Sequence, residues 1–169
     1  MEKARIEKWA LSLLLLCWWL LLPVIGYGGS QGETLAHGTV LGHLLYPLSH
    51  GNVWHLAGNV FVLWCIPGRL RLWQDYAIAV ACSLLPVFGF WEMGMTVGFS
   101  GVLFAEIGIR WGVWCRRKAE AGCRTTTTYW RFCIRVMPWV LAFAFVPHIN
   151  WCIHLYCVLV GLAYGRWKG

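Results

Sequence analysis

The sequence predicts an all-α, polytopic membrane protein of six transmembrane helices forming one domain over residues 1–169, and three observations predict it. Composition is the first: 59% of residues are hydrophobic and only 12% charged, with a mean hydropathy of +0.60, outside the balance of soluble globular domains. Spacing is the second, with apolar runs at about 9–25, 51–67, 76–91, 97–115, 132–147 and 149–165. The third is charge: all 14 Lys and Arg fall at run ends or in alternate connections.

Taken in order, run 9–25 follows Lys3, Arg5 and Lys8. Its apolar core is long and no A-x-A site follows Pro23, so it reads as a retained helix and not as a cleaved signal peptide. Run 51–67 is followed by Arg69 and Arg71, and the connection between runs 97–115 and 132–147 carries Arg116, Arg117, Lys118, Arg124 and Arg131, with Arg110 and Arg135 inside its flanks. Arg166 and Lys168 close run 149–165. Basic loops stay cytoplasmic, so both termini are expected on the cytoplasmic side of the cell (inner) membrane. Several runs are short against a hydrocarbon core of ~30 Å at ~1.5 Å per residue, which implies local bilayer thinning. Trp9, Trp54, Trp73, Trp91, Trp130, Trp151 and Trp167 sit near run ends as interfacial anchors, and Thr125–Thr128 reads as a solvated linker.

The net charge of +7 is dispersed over helix ends, which fits contact with anionic lipids and excludes a nucleic-acid surface. The eight cysteines include no C-x-x-C pair and read as small apolar packing residues, not as a disulfide framework.

Polar residues inside the runs carry the chemistry, because lipid penalises each one that lacks a partner or a role. In TVGFSGVLFAE, Ser100 stands between Gly98 and Gly101 at the head of the fourth run. In HGNVWHLAGN, His55 and Asn59 are four residues apart and share a helix face. His154 lies early in the sixth run. With the amino terminus inside, the second, fourth and sixth runs all travel inward, so these four residues reach one depth. Alone, Ser100 reads as a packing serine, His154 as a buried histidine and Asn59 as an interhelical polar contact. Together they suit nucleophilic acyl transfer: His154 as base for the Ser100 hydroxyl, and the Ser100 backbone N–H with the Asn59 and His55 side chains as donors to a developing oxyanion. The flanking glycines permit close approach.

The GFSG element at 98–101, the H-x-x-x-x-H-x-x-x-N element of His50, His55 and Asn59, and His154 with Gly161 resemble the rhomboid family of intramembrane serine proteases, in its bacterial six-helix core form. The resemblance implies a Ser100–His154 dyad without an acidic third member, an oxyanion hole at His55 and Asn59, and Phe104 packed on the dyad imidazole. It also implies transmembrane protein substrates, no cofactor and no metal, and substrate entry past the fifth helix and the loop before the sixth, here about 132–150. His50 reads as a structural loop brace, and His37, His43 and His148 as solvated outer-loop residues. Two departures stand out: Cys157 replaces a glycine frequent three residues after the dyad histidine, and residues 26–49 lack the Trp-Arg pair of many members.

Glu106 lies about 9 Å farther along the helix than Ser100, with Arg110 four residues on, and is expected to be structural. Two other readings stand beside the protease: a catalytically inactive relative that binds membrane clients, and a membrane haem or metal handler using some of the six histidines.

Overall fold

The computed structural model describes residues 2–24, 40–84, 97–121 and 151–168, which form six helices with no strand among them. Helix α1 (Glu2–Val24) begins ahead of the first apolar run, with Glu2 in its first turn where the helix dipole favours an anion. Leu11, Leu15 and Leu22 are buried at helical spacing, while Ile6, Trp9, Leu13, Leu14, Leu16, Leu20 and Leu21 are exposed. Such an apolar exterior is what a helix needs where its outer faces meet lipid. A short helix, α2 (Val40–Leu45), precedes a turn at 46–48 and was not anticipated from sequence.

Helix α3 (Val53–Cys65) is capped by Asn52, whose Oδ1 accepts the His55 backbone N–H at 2.9 Å. It ends where Pro67 and Gly68 (φ +70°) follow Ile66, a combination that cannot continue a helix. Helix α4 (Leu72–Ser83) starts ahead of its apolar run, α5 (Ser100–Ala121) outlasts its own, and α6 (Trp151–Lys168) closes the set. The expected fifth helix at 132–147, the Thr125–Thr128 linker, His37 and His148 lie outside the described residues.

Among the described residues no helix is long and apolar enough to cross a membrane. Helices α3 and α4 have 13 and 12 residues, about 20 Å or less at ~1.5 Å per residue, against ~30 Å of hydrocarbon. Helices α1, α5 and α6 are longer, but charged residues occupy the first turns of α1, the body and end of α5, and the end of α6. The expectation of six complete spans therefore meets helices that are shorter, or more charged at their ends, than the apolar runs suggested.

Two parallel helices form the centre. A Cβ on Gly108 of α5 would fall 2.3 Å from the Val158 carbonyl oxygen of α6, and one on Gly161 would fall 2.4 Å from that of Ala105. Gly112 and Gly165 repeat the arrangement one turn on, so backbone touches backbone along a small-residue seam. Contacts advance together on both helices, from Ser100 with His154 to Gly112 with Arg166, which makes α5 and α6 parallel. Helix α3 shares their direction, since its start lies at Gly98 and the segment after it at Arg110.

That segment, 66–71, is tied down by charge. Glu106 is fully buried and pairs with Arg110 and with Arg71 at 3.2 Å. Arg110 also donates to the Arg69 carbonyl at 2.7 Å, and Arg69 pairs with Glu7 of α1 at 2.8 Å. Lys8, buried, donates to the carbonyls of Trp64 and Ile66 and so satisfies the end of α3. The Glu106–Arg110 contact follows the expected i,i+4 spacing; the contribution of Arg71 comes only from the fold.

The seam makes a stability prediction. Gly161→Ala must push α5 and α6 apart against rigid backbone, and should cost about 1–3 kcal/mol in detergent unfolding titrations. Unchanged stability would contradict the packing.

Candidate active site

The packing of α5 on α6 sets the distance between Ser100 and His154. Ser100 opens α5, and its Oγ lies 2.8 Å from His154 Nε2. The histidine ring lies flat on Phe104, one turn along α5, with centroids 4.4 Å apart and planes 10° from parallel. Stacking fixes the ring plane, so Nε2 points at the hydroxyl without help from an acid. Among the described residues no carboxylate pairs with His154.

Gly98 holds the approach to the serine. Its φ of +117° is accessible to glycine, and a Cβ there would fall 2.6 Å from the His55 ring and 3.2 Å from Asn59 Nδ2. The imidazole, the amide and the bare glycine backbone therefore converge two residues before Ser100. The Gly98 N–H donates to the Tyr46 carbonyl at 3.0 Å, and the buried Tyr46 hydroxyl donates to the Ala79 carbonyl of α4 at 2.8 Å. Because α5 begins at Ser100, the serine N–H has no carbonyl partner within its own helix. The arrangement presents one hydroxyl, one acceptor nitrogen and several N–H donors at a helix amino terminus.

His50 binds this end together. Its Nδ1 lies 3.1 Å from the Leu48 carbonyl, which requires Nδ1–H and leaves Nε2 as an acceptor. Nε2 then receives the Asn59 amide at 2.9 Å and the Phe99 N–H at 3.4 Å. One side chain thereby joins the turn before α3, the oxyanion candidate Asn59 and the residue next to Ser100. Burial, reinforced by the neighbouring His55 ring, lowers its pKa from 6.5 to about 3 and keeps it neutral.

Of the residues singled out from sequence, Ser100 meets His154 directly, Phe104 lies beneath the imidazole, and His55 and Asn59 meet at Gly98. Gly161 lies farther along α6, against Ala105, and Gly101 faces Tyr46 and Cys157. His43 departs from expectation: instead of standing in solvent it is half-buried, with Nδ1 3.0 Å from Ser83 Oγ of α4. That pair is a brace, since the Ser83 hydroxyl donates to the Val80 carbonyl and can only accept from His43. Tyr46 was missed from sequence, where an aromatic in a loop carries no distinguishing mark. Among the described residues no group of three or more His, Cys, Asp or Glu could hold a metal ion.

A family model described as the Rhomboid domain matches residues 37–168 of the chain. Comparison with curated proteins and with solved structures gave no match.

His50 makes the prediction here. Its folded pKa lies below its ordinary value, so the unfolded chain takes up the proton first as pH falls. The stability it supplies is complete above about pH 6.5 and drains towards pH 3, by ~1.4 kcal/mol per pH unit. In unfolding measurements, the gap between wild type and His50→Gln should narrow with acidification; a constant gap would remove His50 from the pH response.

Proposed function

The chain belongs to the rhomboid family, whose members are membrane-embedded and are usually intramembrane serine proteases, and from that premise we propose that it is an intramembrane serine endopeptidase with a Ser100–His154 dyad. The observation that carries this reading is the 2.8 Å contact between Ser100 Oγ and His154 Nε2, made across parallel helices whose backbones touch. A hydroxyl at that distance can pass its proton to a neutral imidazole as it attacks a carbonyl.

The substrate is a transmembrane helix cut near the outer half of the bilayer. A helical peptide bond is shielded by its own hydrogen bonds, so the segment must unwind locally, and small or helix-breaking residues favour that. Ser100 attacks the exposed carbonyl carbon and His154 takes the hydroxyl proton. The oxyanion is met by the Ser100 backbone N–H, the second Asn59 amide hydrogen and His55. Collapse of the tetrahedral intermediate breaks the C–N bond, and His154 returns its proton to the leaving amine. Water activated by the same imidazole hydrolyses the acyl ester. Stacking on Phe104 keeps the ring in plane through both proton transfers. The chemistry requires no metal, nucleotide or organic cofactor.

The topology we assign is six spans, at about 9–25, 51–67, 76–91, 97–115, 132–147 and 149–165, with both termini cytoplasmic in the cell membrane. It is supported by the gathering of Arg71 and Arg110 on Glu106, about 9 Å along α5 from the serine, with Lys8 and Arg110 bound to carbonyls of the segment 66–71 that carries Arg69. The shortness of α3 and α4 fits a thinned bilayer. The reading as an inactive client-binding relative is disfavoured by the presence of both dyad members in bonding contact.

A fluorophosphonate should label the wild type but neither Ser100→Ala nor His154→Ala; equal labelling of all three would end the dyad assignment. Asn59→Ala should lower the cleavage rate by about 100-fold, the scale of one oxyanion donor. Expressed with a panel of type I membrane proteins, the wild type should release fragments that Ser100→Ala does not.

A further inference from the structure

One buried residue touches the chain on both sides of Ser100. Tyr46 opens the turn at 46–48 after α2 and is only 2% exposed, too little to meet a substrate. Its carbonyl accepts the Gly98 N–H at 3.0 Å, two residues before the serine. Its hydroxyl donates to the Ala79 carbonyl of α4 at 2.8 Å. That same oxygen lies 2.9 Å from where a Cβ of Gly101 would stand, one residue after the serine. The next neighbours of that position, the Ala79 Cβ at 3.5 Å and Cys157 Sγ at 3.6 Å, are at ordinary contact distance. The Tyr46 hydroxyl is therefore what leaves Gly101 no room for a methyl group.

The segment that carries Tyr46 is itself laid along α4. The Tyr76 hydroxyl of α4 donates to the Leu44 carbonyl, and His43 Nδ1 lies 3.0 Å from Ser83 Oγ. The glycine seam, by contrast, begins at Ala105 with Gly161, past the first turn of α5. It fixes the body of α5 against α6 and leaves the turn holding Ser100 and Gly101 to other contacts. At the amino end of a helix the first N–H groups have no partners within the helix, so support must come from elsewhere.

We infer that Tyr46 is a positioning residue for the reaction: its carbonyl at Gly98 and its hydroxyl at Gly101 grip the GFSG element and set where Ser100 Oγ stands against His154. Because both groups belong to one residue, anchoring the hydroxyl on α4 also anchors the carbonyl. A phenylalanine would fill the same space but could not bond to Ala79, and would leave Gly101 unopposed. Ser100 would then shift by a fraction of an ångström, and misplacement of about 1 Å costs on the order of 100-fold in rate. The effect on rate rests on the proteolytic reading, whereas the grip itself does not.

The test uses the full chain in detergent and a fluorophosphonate probe. Tyr46→Phe should label to the full extent but about 10-fold more slowly, and in cleavage of a membrane substrate its kcat should fall with KM unchanged. Gly101→Ala should also slow labelling, since the added methyl group presses on the phenol oxygen. Combined with Tyr46→Phe, which vacates that space, Gly101→Ala should label faster than it does alone. A Tyr46→Phe variant that loses extent of labelling and not rate has merely lost folded protein, which overturns the positioning role. So does labelling at the wild-type rate, or a Gly101→Ala effect equal in both backgrounds. A wild type that never labels counts against the dyad reading instead, and unfolding midpoints then decide the grip. Gly101→Ala should lower the midpoint less in the Tyr46→Phe background than in the wild type, and an equal fall in both would overturn the contact.

Discussion

Backbone contact between α5 and α6 is the constraint on which the rest depends. A serine and a histidine 54 positions apart in sequence stay within hydrogen-bond distance only if their helices have no room to slide. The seam of Gly108, Gly112, Gly161 and Gly165 removes that room, because each lies where even a methyl group would meet the other backbone. In lipid the hydrophobic effect does not press helices together, so close packing must do it, and small residues give the greatest contact per turn. The seam lies deeper along the helices than the dyad. It acts as a hinge held shut, with Ser100 and His154 at one end of it.

The end that carries Ser100 needs its own fixing, because a helix amino terminus frays. Here His50 supplies it. Its Nδ1–H is committed to Leu48, so Nε2 is left to receive both Asn59 and the Phe99 N–H. Holding Asn59 this way commits one amide hydrogen and leaves its nitrogen beside Gly98. The brace at the turn and the placement of Asn59 are coupled through one imidazole, and protonating it would remove the acceptor on which both rely.

Much of the site was legible in the sequence, because membrane burial makes each polar residue conspicuous. Ser100, His55, Asn59 and His154 stood out against apolar runs, and charge placement alone suggested that their helices share a direction. The i,i+4 partnership of Glu106 and Arg110 was legible for the same reason. Other parts were not. The small helix Val40–Leu45 has no periodicity to announce it, and Tyr46 matters through where its carbonyl and hydroxyl land, which depends on α4 and α5 together. Arg71 reaches Glu106 only after the chain turns at Pro67 and Gly68. His43 found a partner in Ser83, from a helix distant in sequence. The glycine seam did carry a signal, a small residue every fourth position on both helices, of which only Gly161 was singled out.

These fixings also say what can move. Ser100, His154, Asn59 and Gly98 are each held by at least one contact to a different element, and loss of any one shifts an atom of the cluster. On the proteolytic reading proposed above, a substrate helix must nonetheless reach Ser100 from the lipid. Opening α5 from α6 would part the dyad, and lifting α3 would strip Asn59 from the site. On that reading, admission falls to a part of the chain that contributes none of these bonds, with the contacts among α3, α5, α6 and the turn at His50 kept through the reaction. On the same reading, a rigid centre lets the proton move between the same two atoms whether or not substrate is bound, and preorganisation of that kind lowers the barrier without reorganising the site at the moment of attack.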